Sequence, residues 1–190
     1  MFGISIDDIK SSLIKDNDGV VFNRSDIANT KNSYDNLDKN LIDYLFNLRK
    51  TNKKLFKQEY TCAKEYSKDY IYGLINYFSS VYGNVDYDVL AAIAYIESGN
   101  LNSKYMLKCN NIYGGMSSKG LIKYNNIEFG VLSYVKMMSK YYYSKGLTTV
   151  ETIARKYNPG STTWVGNVNK TRSKFKNKDN IDLNTLLSLK

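Results

Sequence analysis

A single proline, Pro159, stands in the 190 residues, and apolar side chains elsewhere recur at intervals of three and four. Strands read with a period of two, so the three- and four-residue spacing predicts a mainly α fold, and Pro159 marks a helix stop. Glu65–Tyr82 carries the pattern on Tyr66, Tyr70, Leu74, Ile75, Tyr77, Phe78 and Val81. Asn40–Leu48 repeats it more briefly, on Leu41, Ile42, Leu45, Phe46 and Leu48. Residues 1–60 are otherwise polar and rich in Asn, Asp and Lys, and read as a partly helical N-terminal extension. A compact domain is expected over 61–180, with a C-terminal tail over 181–190.

The stretch from Asn84 to Gly99 is the most informative. Asp86 suits an N-cap, and Asp88 falls in the first turn, where the helix dipole favours negative charge. Leu90, Ile93, Ala94 and Glu97 lie at i, i+3, i+4 and i+7. One carboxylic acid therefore sits on an apolar face, in the last turn, ahead of Gly99 as the left-handed residue past the end. Partial burial and the negative end of the dipole both favour a protonated acid at such a place. That is what a general acid in glycoside cleavage requires. A Glu that rotates into solvent is the bland reading of the same spacing.

Residues 100–125 contain Asn110-Asn-Ile-Tyr-Gly-Gly-Met116 and a Ser/Gly loop, too broken for a helix and suited to a turn facing a substrate. Asn125-Asn-Ile-Glu128 reads as a capping box opening a helix to Tyr143, with Phe129, Leu132, Val135 and Met138 on one face. Another helix is expected from about Thr149 to Tyr157, stopped by Asn158-Pro-Gly160, and a last one over Trp164–Phe175. Trp164 is read as a core residue or as a ring that stacks on a sugar. The run Tyr141–Tyr143 spans more than one face, so at least one ring should be exposed.

Composition removes whole chemistries. With no His there is no Ser-His-Asp triad, no Cys-His dyad and no His-ligated zinc or haem. The two cysteines, Cys62 and Cys109, form neither a four-ligand zinc site nor a disulfide framework, so no metal or cofactor is expected. Cys109 has no neighbour that would activate it. The start of the chain carries Asp7 and Asp8 and lacks a basic n-region before an apolar one. No apolar run approaches the length of a membrane span, so neither a Sec signal nor a membrane segment is expected. Residues 1–84 hold 12 basic and 11 acidic side chains, residues 85–190 hold 15 and 7. The second half suits a polyanion or a negatively charged surface, with nucleic acid, anionic lipid and anionic wall polymer all qualifying, or its Lys serve solubility. Nucleic acid is disfavoured, because Lys and Arg are scattered rather than striped and no binding motif is present.

Glu97-Ser-Gly followed by Asn111-Ile-Tyr-Gly-Gly-Met116 resembles the core of the lysozyme-like superfamily. The likeness covers about residues 70–176. Asn111-Ile-Tyr113-Gly114 is similar to the Asn-Leu-Phe/Tyr-Gly pattern of bacterial and phage glucosaminidases, and Tyr124-Asn-Asn-Ile-Glu128-Phe-Gly130 to their aromatic-led entry into the next helix. Gly115-Met116 and Tyr157-Asn158-Pro159-Gly160 resemble motifs of the soluble lytic transglycosylases. The resemblance implies a lysozyme-like helical domain with a catalytic cleft, cleaving the β-1,4 GlcNAc/MurNAc strand of peptidoglycan without a cofactor. It makes Glu97 the catalytic acid and Tyr157 the tyrosine facing it. Ser98, Asn111, Tyr113, Gly115, Met116 and Asn158 become substrate-binding residues, with Tyr113 and Met116 the floor of the cleft.

In one respect the chain departs from the glucosaminidases, which often carry a second acid on a β-hairpin before the next helix. Ser117–Asn126 contains no Asp or Glu, and the nearest acid, Glu128, is explained by the capping box. One carboxyl leaves two routes: attack by the substrate's own N-acetyl group, or closure of the sugar's 6-hydroxyl on the anomeric carbon. The implied partners are peptidoglycan strands and anionic wall polymers, reached from a virion, through a holin or by another delivery route. The alternative is a catalytically inactive lysozyme-like module that binds cell wall.

Overall fold

The computed structural model describes residues 62–190. The readings of residues 1–60, the Asn40–Leu48 helix included, lie outside the described residues. The unit to which the described residues belong begins at Glu59. It is mainly helical: α1 (Lys68–Tyr82), α2 (Tyr87–Glu97), α3 (Lys104–Lys108), a hairpin of β1 (Met116–Ser117) and β2 (Gly120–Leu121), α4 (Ile127–Tyr141), α5 (Val150–Tyr157), α6 (Trp164–Arg172) and α7 (Leu183–Ser188).

Helix starts follow short polar caps. Ser67 accepts from the Tyr70 amide, and Thr149 and Thr152 form a reciprocal box at α5. Asn126, one residue later than the sequence suggests, accepts from the Phe129 amide at 2.9 Å. Glu128 is thereby moved out of the capping-box position. At α2 the expected cap is replaced by tertiary pairing. Asp86 makes no cap bond and accepts from the Tyr143 hydroxyl at 3.5 Å, while Asp88 pairs with Arg172 at 2.7 Å.

Helix α2 forms the centre. Val89 to Ala94 are six consecutive residues with no exposure, which is the signature of a helix wrapped on every side. It packs against α1 and α6, and α1 in turn against α4 and α7. Tyr134 of α4 is fully buried and donates to the Leu90 carbonyl at 2.9 Å, tying α4 to α2. Each Val, Leu or Ile buried this way contributes about 1.5–3 kcal/mol of transfer free energy.

Two segments differ from expectation. Residues 181–190 are not a tail: α7 docks on α1, with Leu186 buried. Gly73 makes room for it, since a Cβ there would lie 3.0–3.2 Å from Leu189, Leu186 and Ile181. Asn76 adds hydrogen bonds to the Asp179 carbonyl and the Ile181 amide. Residues 100–125 hold more structure than their composition suggests. The Ser103 hydroxyl accepts from the Met106 amide at the start of α3, and the hairpin pairs Met116 with Leu121 and Ser117 with Gly120. Among the described residues no helix is long and apolar enough to cross a membrane.

Candidate active site

Glu97 is the last residue of α2 and is half-buried. Directly after it the chain reverses through Gly99, Asn100 and Leu101, with φ of 59°, 56° and 56°. Glycine adopts this left-handed region freely, whereas Asn and Leu pay roughly 1–2 kcal/mol each. Ser98 secures the reversal. Its hydroxyl donates to the Ala94 carbonyl and accepts from the Leu101 amide at 2.9 Å. Ser98 is fully buried, so it does not meet a glycan as the resemblance implies; it holds the turn that presents Glu97.

Asn111 requires the same correction. It is fully buried, and its Nδ2 donates to the carbonyls of Gly115 and Ile122 at 2.9 and 3.0 Å. Its Oδ1 accepts from the amides of Tyr113 and Gly115. The side chain folds the 111–115 loop and pins the return strand to it. Gly115 is required by packing, because a Cβ there would fall 2.4 Å from the Tyr113 ring. Tyr113 is a buried wall rather than an open floor. It stacks on Tyr134 with centroids 4.9 Å apart, and its hydroxyl lies 2.6 Å from that of Tyr124. Met116, by contrast, is 67 % exposed.

Tyr157 ends α5 and donates its hydroxyl to the Tyr113 carbonyl at 2.7 Å. Its phenol is therefore engaged by backbone and is not a free acid or base opposite Glu97. Burial, with the nearby Glu97 charge second, holds its pKa well above the usual tyrosine value, and burial does the same for Tyr113 and Tyr134. Asn158 follows as the C-cap, with its carbonyl accepting from the Ser161 amide at 3.3 Å. The Ser161 hydroxyl then accepts from the Trp164 amide at 3.1 Å. The expected substrate-binding residue thus belongs to the turn that delivers Trp164.

Trp164, read from the sequence as a core residue or a sugar-stacking ring, makes a contact the sequence does not show. It is buried, and its ring stacks on Tyr157 at 5.5 Å and 26°. Its Nε1–H donates to Glu97 Oε1 at 3.0 Å. The other oxygen, Oε2, lies on the Gly114 side, 3.6 Å from where a Cβ on that residue would stand. Only its position behind the Asn-Pro-Gly turn hinted at a role.

Three other carboxyls of the second half are occupied elsewhere. Glu128 accepts from the Tyr70 hydroxyl at 2.9 Å and pairs with Lys190 at 3.6 Å. Glu151 is exposed and accepts from Asn169 at 3.0 Å, and Asp182 caps α7. Cys109 is buried, and among the described residues no cluster of His, Cys, Asp or Glu suits a metal. A pocket of about 290 Å³ lined by Ser79, Asp86, Asp88, Phe175 and Lys176 lies at the start of α2, the far end of that helix from Glu97. Among the described residues, the site joins the Glu97 carboxyl, the Trp164 indole donor and a tyrosine wall. No protein-family model matches the chain, and no curated protein matches it significantly.

Proposed function

We propose that this chain cleaves the glycan strand of peptidoglycan, with Glu97 as acid and then base. The observation that carries the reading is the Glu97 carboxyl itself: half-buried, at the end of the central helix, with one oxygen held by Trp164. A carboxyl so held can give a proton to the glycosidic oxygen as the C–O bond breaks.

Both two-carboxylate mechanisms need a second group about 5–9.5 Å away, as nucleophile or as base for water. The other acids named above are engaged elsewhere, which favours a route with one carboxyl. The substrate's N-acetyl oxygen or its 6-hydroxyl attacks the anomeric carbon. In the first case water then opens the resulting oxazolinium at the anomeric carbon, restoring the N-acetyl group as the Glu97 carboxylate takes the water's proton; in the second the carboxylate takes the proton of the 6-hydroxyl. The excess of basic side chains in residues 85–190 suits a wall rich in anionic polymers, which would concentrate the enzyme there.

That none of the acids named above, among the described residues, pairs with Glu97 also favours a second reading, a lysozyme-like module that binds wall without cutting it. Turbidity of purified sacculi separates the two. The glycosidase reading expects clearing by the parent and none by Glu97→Gln. Binding of the parent with no clearing would favour the inactive module.

A further inference from the structure

We infer that Trp164 is a positioning residue for Glu97: its indole N–H occupies Oε1 and leaves Oε2, on the Gly114 side, as the oxygen that delivers and recovers the proton. This rests on the glycosidase reading of the same site. Indole nitrogen is a donor only, so the oxygen it faces must act as acceptor. In the acid form of Glu97 the proton is then on the other oxygen. The contact is charge-assisted when Glu97 is ionised, which strengthens it for the base half of the reaction.

The indole cannot swing away without breaking other contacts. Its ring is buried and stacked on Tyr157, and Tyr157 is anchored through its hydroxyl to the Tyr113 carbonyl. Its backbone amide is held by Ser161. On the opposite side Gly114, at φ 73°, carries no side chain, so a glycosidic oxygen meets no side chain of that residue on its way to Oε2. The turn between α5 and α6 thereby fixes a carboxyl that α2 supplies, and a small misplacement of an acid costs as much as about 100-fold in rate.

Trp164 is the only tryptophan, so the full-length protein has one indole N–H resonance in a ¹H–¹⁵N spectrum. That resonance is expected to follow the ionisation of Glu97 with pH in the parent, and in Glu97→Ala to move upfield and stop responding. An indole signal identical in parent and Glu97→Ala would overturn the assignment, whatever the activity. In the functional arm, Trp164→Phe keeps a smaller aromatic ring against Tyr157 and removes the donor. The expected result on sacculi is a roughly 10- to 100-fold lower kcat with KM little changed. The alkaline limb of the pH–rate profile should move to higher pH, because losing the donor disfavours the carboxylate. Equal kcat and an unmoved profile would also overturn it. A parent that releases nothing from sacculi defeats the glycosidase reading instead, and the indole resonance still decides whether Glu97 holds the N–H.

Discussion

The Tyr157 hydroxyl donates to the Tyr113 carbonyl at 2.7 Å, joining the end of α5 to the loop that follows α3. The bond closes the wall beside Glu97 from two distant parts of the chain. Tyr157→Phe retains the ring against Trp164 and leaves a carbonyl with one partner fewer. The expected cost is about 1–3 kcal/mol of stability, read from denaturant unfolding, with lysis of sacculi within a few-fold of the parent. Loss of nearly all activity with unchanged stability would make the phenol itself part of the chemistry.

Gly130 meets the backbone of the 110–111 loop face on. A Cβ on it would stand 1.8 Å from the Asn110 carbonyl oxygen, and that oxygen belongs to backbone that cannot simply rotate aside. Gly130→Ala should destabilise the domain by about 1–3 kcal/mol or more, as forced overpacking does. A melting temperature equal to the parent's would mean that α4 and the loop are further apart than described.

Buried tyrosines set the alkaline limit. Burial is the main cause raising the pKa of Tyr70, Tyr113, Tyr134, Tyr143 and Tyr157, and with Asp69 and Asp88 it pushes Tyr87 up to about 12. Unfolded tyrosine titrates near 10. The unfolded chain therefore binds fewer protons above that pH. The stability from these phenols is complete below about 10 and declines as pH rises from there through the folded-state values. Phenolate absorbance from this set should appear together with loss of helical circular dichroism. Smooth titration of every tyrosine near 10 with the helices intact would contradict the burial.

Much of the helical frame was legible, because local signals decide it. The α1 spacing, the start of α5 near Thr149 and the stop before Pro159 each involve residues within a few positions of one another. The place of Glu97, half-buried in the last turn of α2, was legible for the same reason. Roles fixed by distant partners were not. Ser98 and Asn111 look like exposed polar groups in sequence, yet both spend their hydrogen bonds on backbone in the turns around the site. The indole of Trp164 reaches an acid 67 residues earlier, which no spacing encodes. The last residues read as a tail because α7 is short, and its stability comes from Gly73 and Asn76 on α1.

On the proposed reading Glu97 cuts sugar–sugar bonds. Mass spectrometry of fragments released from purified sacculi tests it most directly, comparing the full-length parent with Glu97→Gln. Fragments with new glycan ends (reducing GlcNAc, reducing MurNAc or an anhydro sugar) are expected from the parent. Release by Glu97→Gln should fall by at least about 100-fold, the usual contribution of a positioned acid. Intact glycan strands with cleaved peptides, or the same glycan ends from Glu97→Gln at the parent's rate, would contradict it.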